Sequence, residues 1–109
     1  MTMSFRWPNK DPDEQLDYSI DWSRFLGSAT ISSVVWSVNN ASGVKTTIGG
    51  GATVNGIQNI SQTQSSDGKT ATINIGSGTN NLEYTFFCRI TDSTGSQAER
   101  SVKLKVREK

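Results

Sequence analysis

Apolar and polar residues alternate along two long runs in the last quarter of the chain, which is the pattern of half-buried β-strands. The alternating apolar positions are Tyr84, Phe86, Cys88 and Ile90 in the first run, and Ala98, Val102, Leu104 and Val106 in the second. A bulge near Arg100 is allowed in the second run. The polar segment 92–97 contains Gly95 and separates the two runs, so we predict an antiparallel hairpin.

Shorter runs of the same kind occupy the earlier part of the chain, with turn-forming residues between them. They cover residues 16–22, 31–38, 44–48, 54–60 and 70–75. A single helical turn or a bend is expected over residues 21–27, with Gly27 at its end. Together with residues 84–91 and 98–106, the runs predict an all-β, immunoglobulin-like β-sandwich of about seven antiparallel strands over residues 16–109.

Three residues have predicted places in this sandwich. Trp36 is the natural large side chain for the middle of the core. Tyr84 lies at the start of the penultimate strand, where such sandwiches often have a tyrosine whose hydroxyl bonds nearby backbone. Cys88 lies in an apolar run and is expected to be buried and inert.

Residues 1–15 carry two prolines and no sustained periodicity. Proline fixes its own φ and moves the preceding residue out of the helical region, so Pro8 and Pro12 favour an extended or turning backbone. We predict an extended N-terminal arm over residues 1–15 that lacks the alternating apolar side chains needed to dock on a sheet.

Composition and charge exclude several classes of protein. The chain of 109 residues fits one domain, and its net charge of +1 gives no general attraction to nucleic acid or an anionic membrane. Histidine is absent, which removes the usual general base and the commonest ligand of transition metals. The single cysteine forms no internal disulfide, and no secretory leader or membrane span is evident. We therefore expect a soluble, non-enzymatic protein that is not secreted and has no cofactor.

Motifs that suggest chemistry fail when their spacing is checked. Residues 67–70 end like a phosphate-binding loop, but the required glycine five positions earlier is Thr63, so a hairpin turn is predicted. The glycines at 49–51 lack the spacing of a dinucleotide fingerprint and predict a flexible loop. Asp11, Asp13 and Asp17 lack the central glycine and distal glutamate of a calcium loop, which leaves only a weak surface cation site open.

Charge is segregated between the two ends of the chain. Residues 10–21 hold five carboxylates against one cation, and residues 98–109 hold five cations against two carboxylates. The first and last strands could neutralise each other within one subunit. Alternatively, an acidic arm could meet a basic strand of the next copy in a ring. The basic residues in the second alternative are Arg100, Lys103, Lys105 and Arg107.

Both ends of the chain also resemble a known family. The opening Phe5-Arg6-Trp7-Pro8-Asn9-Lys10-Asp11-Pro12-Asp13-Glu14-Gln15-Leu16-Asp17-Tyr18-Ser19-Ile20-Asp21-Trp22 is similar to that of small fibre-to-tail adaptor proteins of tailed-bacteriophage virions. The ending Glu99-Arg100-Ser101-Val102-Lys103-Leu104-Lys105-Val106-Arg107-Glu108-Lys109 is similar too. The resemblance implies an immunoglobulin-like fold and a place in the virion, with synthesis in the host bacterial cytoplasm. It supplies no catalytic residues.

The favoured hypothesis is a structural adaptor that joins a tail or neck ring to fibres through protein–protein contacts, in several copies on the particle. The alternatives are a capsid decoration protein and a carbohydrate-binding module for host-surface glycans. Trp7 favours the adaptor, because one ring in a Pro-flanked arm suits a protein pocket better than a sugar platform. The residues predicted to bind the partner are Phe5, Trp7, Pro8, Asp11, Pro12, Asp13 and Glu14.

Overall fold

A computed structural model describes residues 5–108 of the chain. The strands within this range are β1 (Phe5–Arg6), β2 (Leu16–Asp21), β3 (Ile31–Asn39), β4 (Lys45–Thr47), β5 (Thr53–Val54), β6 (Ile57–Gln64), β7 (Thr70–Ser77), β8 (Glu83–Asp92) and β9 (Gln97–Lys105). One short helix, α1 (Ser23–Leu26), follows β2. Gly27 ends this helix with a positive φ of 59°, as the sequence predicted.

The strands form two sheets that enclose one core. The five-stranded sheet has the order β1-β9-β8-β3-β4, and the four-stranded sheet has the order β2-β7-β6-β5. Every neighbouring pair is antiparallel except β1 with β9, which is parallel. The predicted all-β sandwich is confirmed, whereas its assignment to the immunoglobulin type stays a prediction.

The predicted hairpin of β8 and β9 is confirmed, with continuous register from Glu83↔Lys105 to Thr91↔Gln97. The allowed bulge near Arg100 is absent from this hairpin, because Arg100 pairs directly with Cys88. Arg100 therefore falls on the inward side of β9. Its guanidinium avoids burial by lying over the Trp22 ring, 4.4 Å from the centroid, at the edge of the core.

The single strand predicted over residues 54–60 is wrong, because a tight turn divides it. Asn55 and Gly56 have φ values of 51° and 82°, and they join β5 to β6 as a two-residue hairpin loop. Asn-Gly is the sequence that this kind of turn prefers. A Cβ on Gly56 would lie 2.6 Å from the Thr79 hydroxyl oxygen, so the site has no room for a side chain.

The core matches the predicted places of three residues. Trp36 is 1% exposed, and Cys88 is buried with a free thiol. The Tyr84 hydroxyl donates to the Asn55 carbonyl at 2.7 Å and accepts from the Thr79 N–H at 2.9 Å. These two hydrogen bonds tie the loop before β8 to the turn before β6.

The N-terminal segment lies on the sandwich. Beyond β1, the Trp7 N–H donates to the Lys103 carbonyl at 2.9 Å, and Lys10 forms a parallel bridge with Val106. The Trp7 ring centroid lies 4.7 Å from that of Tyr18 and 5.9 Å from that of Phe86. The expectation that this segment lacks what it needs to dock is therefore wrong for residues 5–10. The segment docks through the Trp7 ring and through backbone pairing with the β9 end of the chain, and not through alternating apolar side chains.

Lys10 fixes the end of this segment. Its side chain is fully buried, and its ammonium group donates to the Ser77 carbonyl at 2.5 Å and to the Asp11 carbonyl at 2.9 Å. These bonds compensate for the loss of water around the charge. Residues 1–4 of the predicted arm lie outside the described residues, and the domain boundary at residue 15 stays a prediction about which part folds independently.

Candidate functional site

The residues predicted to bind a partner through the N-terminal segment differ in exposure. Trp7 is half-buried because its ring packs on the core, and Pro8 is exposed. Pro12 is half-buried and Asp13 is exposed. The backbone of Phe5 belongs to β1, and its side chain lies outside what the structure describes.

The acidic residues after Lys10 fold into a turn that their own carboxylates hold. The Asp13 N–H donates to Asp11 Oδ1 at 2.8 Å, and the Asp11 N–H donates to Glu14 Oε1 at 2.8 Å. The Glu14 N–H closes the turn on the Asp11 carbonyl at 3.0 Å. Asp11 and Glu14 therefore stabilise local structure, and Asp13 presents its charge to solvent.

The four basic residues predicted near the C-terminus do not share one face. Lys103 and Lys105 lie on the outward side of β9, since they pair with Thr85 and Glu83 on the outward side of β8. Arg100 lies on the opposite side, where its Nη1 donates to the Asp21 carbonyl at 3.0 Å. Arg107 follows β9 and is exposed.

Charged side chains near both ends of the chain interact with groups inside the same subunit. Arg6 forms an ion pair with Glu83 at 2.7 Å. The pKa of the Glu83 carboxyl is lowered, chiefly by the hydrogen bond from Arg6 and further by the charges of Lys103 and Lys105. The pKa of Asp21 is lowered chiefly by the Ser23 N–H, and Arg100 adds to this. Asp21 and Arg100 belong to the acidic and the basic segment, so this one interaction balances part of the segregated charge inside the subunit, as the first alternative expects.

A groove opens where the β1–β9 edge of one sheet faces the β2 edge of the other. This edge groove has a volume of about 270 Å³ and is lined by Arg6, Trp7, Ser19, Ile20, Asp21, Arg100 and Val102. It brings together Trp7 from the predicted arm and Arg100 from the predicted basic strand. Sequence reasoning missed its β2 side, because no local pattern shows that β2 is an edge strand.

A second depression lies on the outward side of the five-stranded sheet. This outer face has a cavity of about 130 Å³ and is lined by Val35, Ser37, Lys45, Thr47, Phe87, Arg89 and Glu99. Val35 is 42% exposed, and the half-buried Phe87 ring lies 5.1 Å from the Lys45 ammonium nitrogen. An apolar centre within a charged rim is the usual composition of a protein-binding surface.

The rim of the outer face is an ion-pair network centred on Glu99. Its carboxylate accepts two hydrogen bonds from the Lys45 ammonium group, and Arg89 Nε lies 3.7 Å from it. Exposed pairs of this kind contribute little to folding stability. They link Lys45, Arg89 and Glu99 beside Val35 and Phe87, and the Lys45 ammonium group lies over the Phe87 ring.

The sequence contains a signal for the outer face in two clusters of consecutive apolar residues. Val34, Val35 and Trp36 are consecutive, as are Phe86 and Phe87. Because neighbouring strand residues point to opposite sides, each cluster must place one apolar side chain outward. Only the inward residues of these clusters were predicted to have a structural place.

The outward side of the four-stranded sheet is polar by contrast. The Ser19 and Thr72 hydroxyls lie 2.7 Å apart, and the Asn74 amide donates to Asp17 Oδ1 at 2.8 Å. These cross-strand hydrogen bonds join polar side chains of β2 and β7. The two outward sides therefore differ in kind, and the apolar surface belongs to the five-stranded sheet.

Two of the rejected motifs have structural outcomes. Residues 65–70 form the predicted hairpin turn, in which Gly68 has a φ of 70° and the Lys69 ammonium group donates to the Gly27 and Ala29 carbonyls. Across residues 5–108, no group of three or more acidic, cysteine or histidine side chains is placed to hold a metal ion. The same range contains no helix that is long and apolar enough to cross a membrane.

Comparison with known proteins identifies one family. A family model described as podophage GP4 fiber-tail adaptor protein gp77 matches residues 10–105, which is most of the 109-residue chain. The matched range contains every residue that lines the outer face and the β2 and β9 residues that line the edge groove, and it leaves out β1 and Trp7. A search of curated proteins finds no match.

Proposed function

Since this chain belongs to the podophage GP4 fiber-tail adaptor family, we propose that it is a non-enzymatic virion protein that joins the tail or neck ring to fibres. The joint consists of protein–protein contacts, and several copies form a ring on the particle. The protein is made in the host bacterial cytoplasm and then assembled into the virion. No cofactor, nucleic acid or membrane takes part in this role.

The observation that carries this proposal is the presence of two separate surfaces suited to protein contacts. An adaptor must bind two different components at once, so one surface is insufficient. The edge groove lies between the two sheets, whereas the outer face lies on the side of one sheet that points away from the core. The two surfaces therefore offer two partners different parts of the domain.

The outer face has the composition expected of a contact with a folded partner. Val35 and Phe87 provide apolar area, which contributes about 25 cal/mol for each Å² that a partner removes from water. Lys45, Arg89 and Glu99 set orientation and discriminate against wrongly charged partners. We assign this surface to one of the two virion components.

The charged ends affect the rate of assembly more than the stability of the assembled contact. Asp13 on the acidic turn and Lys103, Lys105 and Arg107 near the C-terminus are the residues through which neighbouring copies attract each other. Such exposed charges act mainly on the association rate and are screened by salt. Pro8 and Pro12 restrict the segment that carries the acidic turn, which lowers the entropy lost on binding.

The test is a phage that lacks this gene, complemented with variants of the chain. Without complementation, purified particles should retain tails and lack fibres. Complementation with Val35→Glu should leave fibre attachment reduced tenfold or more, because a carboxylate would be desolvated at the centre of the outer face. Thr63→Glu is the matched control, since Thr63 is exposed on the outward side of the other sheet.

Three results would contradict the proposal. Particles without the chain that carry a normal number of fibres would exclude the adaptor role. Equal complementation by Val35→Glu and Thr63→Glu would remove the outer face from it. Binding of the purified domain to a glycan array would favour the carbohydrate-binding alternative.

A further inference from the structure

The open edge of β2 presents backbone groups to the edge groove. The Trp22 N–H donates to the Lys69 carbonyl at 2.8 Å, and Asp21 lies opposite Thr70. Hydrogen-bonded and non-bonded pairs alternate in an antiparallel ladder. Asp17, Ser19 and Asp21 therefore have N–H and C=O groups that point away from β7, and Ser19 and Asp21 line the groove.

The contact between Arg100 and Asp21 supports this orientation. Arg100 Nη1 donates to the Asp21 carbonyl at 3.0 Å from the β9 side of the groove. The carbonyl must therefore face the groove and not β7. One edge acceptor of β2 is thus already engaged in the way that a neighbouring strand would engage it.

The two sheets end unevenly on this side of the sandwich. The five-stranded sheet continues past β9 to β1, whereas the four-stranded sheet ends at β2 in the described range 5–108. The step between them is the edge groove of about 270 Å³. A strand added beside β2 would stand opposite β1, and its inward side chains would enter the groove.

The residues that line the groove indicate what kind of side chain an added strand would place in it. Trp7, Ile20 and Val102 line it with apolar atoms, and the Trp7 ring is half-buried. Large aromatic surfaces of this kind are typical energetic centres of protein interfaces. The outward side of an added strand would continue the polar surface of Ser19 and Thr72.

We propose that an extended segment of a neighbouring virion protein adds to the β2 edge as a further strand, with an apolar side chain packed on Trp7. The segment alternates apolar residues toward the groove with polar residues toward solvent. Its backbone pairs with the Ser19 and Asp21 groups, which is strand addition to an exposed sheet edge. This inference rests on the adaptor role and assigns the second of its two contacts.

Proline substitution tests the pairing directly. Ser19→Pro removes an N–H that faces away from β7, and proline is tolerated on the open side of an edge strand. We expect the purified variant to melt within a few degrees of the parent and its incorporation into particles to fall tenfold or more. Incorporation at the parental level would overturn the proposal.

Two control variants separate pairing from other effects. Thr53→Pro places proline on the opposite edge of the same sheet, where Thr53 also faces away from its partner strand because the Ala52 and Asn59 pair is hydrogen-bonded. Ser19→Ala removes the hydroxyl bond to Thr72 and keeps the N–H. Both should incorporate like the parent, and a loss equal to that of Ser19→Pro would overturn the proposal.

A measurement on the unmodified chain covers the case in which Ser19→Pro does not fold. Hydrogen exchange of residues 17–21 is compared between the free protein and purified particles. The amides of Ser19 and Asp21 should exchange rapidly in the free protein and at least tenfold more slowly in particles. Equal exchange in both states overturns strand addition, whereas absence of the parental chain from particles overturns the adaptor role itself.

Discussion

Strands β3, β8 and β9 at the centre of the five-stranded sheet are paired on both sides, whereas β2 has one side open among residues 5–108. The central strands place Trp36, Phe86 and Leu104 between the sheets with almost no exposure. The edge groove between β1 and β2 is instead lined by the half-buried Trp7 ring and by backbone groups of β2 that face the groove. The centre of the sandwich therefore supplies stability, and the edge supplies a place for a partner.

The largest expected effect is at the centre. Trp36→Ala should lower the free energy of unfolding by about 3 to 5 kcal/mol, because it empties a large aromatic site in the core. Denaturant melts of the variant and the parent measure the loss. A difference within about 1 kcal/mol would show that the centre does not carry the stability.

The same change at the edge should cost less. Trp7→Ala should lower the free energy of unfolding by about 2 kcal/mol, since its ring packs on Tyr18 and Phe86 but stays half-exposed. Denaturant melts under the conditions used for Trp36→Ala give the ratio of the two losses. A loss as large as that at Trp36 would make the edge part of the core, and no loss would mean that the segment does not dock.

The stability at alkaline pH tests the two regions separately, because each contains a buried group with a raised pKa. Burial raises the pKa of the Cys88 thiol from its usual 9.0 to about 12. Above pH 9.0 the unfolded chain loses this proton while the folded chain keeps it, so stability falls as the pH rises from 9.0 to about 12. Cys88→Ala should cost about 1 kcal/mol at neutral pH and flatten this fall.

Tyr18 gives the corresponding signal beneath the edge. Burial, with a further contribution from the Glu14 charge, raises the pKa of its hydroxyl from 10.0 to about 12. Tyr18→Phe should therefore flatten the loss of stability above pH 10.0 and leave the range from 9.0 to 10.0 unchanged. Urea melts at stepped pH values measure both slopes. Identical alkaline profiles for the parent and both variants would contradict the burial of these groups.

The smallest expected effect is on the acidic turn. Asp13→Asn should leave folding stability within about 0.5 kcal/mol, because the residue is exposed and the turn is held by Asp11 and Glu14. The rate of incorporation into particles should fall modestly at low salt, and the difference from the parent should vanish at high salt. A salt-independent defect would assign Asp13 a direct contact.

The strands at the centre of the sandwich could be predicted from the sequence, because their alternation of apolar and polar residues repeats over many positions. Each of β8 and β9 alternates over most of its length, and the loop between them is polar, so register and direction follow from the pattern. The edge carries no such repetition. β1 has two residues, and its parallel pairing of Phe5 with Val102 joins opposite ends of the chain, which no local pattern reveals.

The surfaces were predictable to different degrees. Val35 and Phe87 could have been identified, since consecutive apolar residues in a strand must place one outward. Arg100 could not, because a cation on the inward side of β9 depends on the Trp22 ring, which lies between β2 and α1, to cover it. The edge groove requires both sheets, so its lining follows only from the tertiary structure.

Cryo-electron microscopy of the intact virion, at a resolution that shows side chains, tests the account most directly. We predict several copies between the tail or neck and the fibres, with one virion protein covering Val35 and Phe87. A strand of a second protein should be paired with Ser19 and Asp21 beside Trp7. Copies found elsewhere on the particle, or copies whose outer face and β2 edge are both exposed to solvent, would contradict the account.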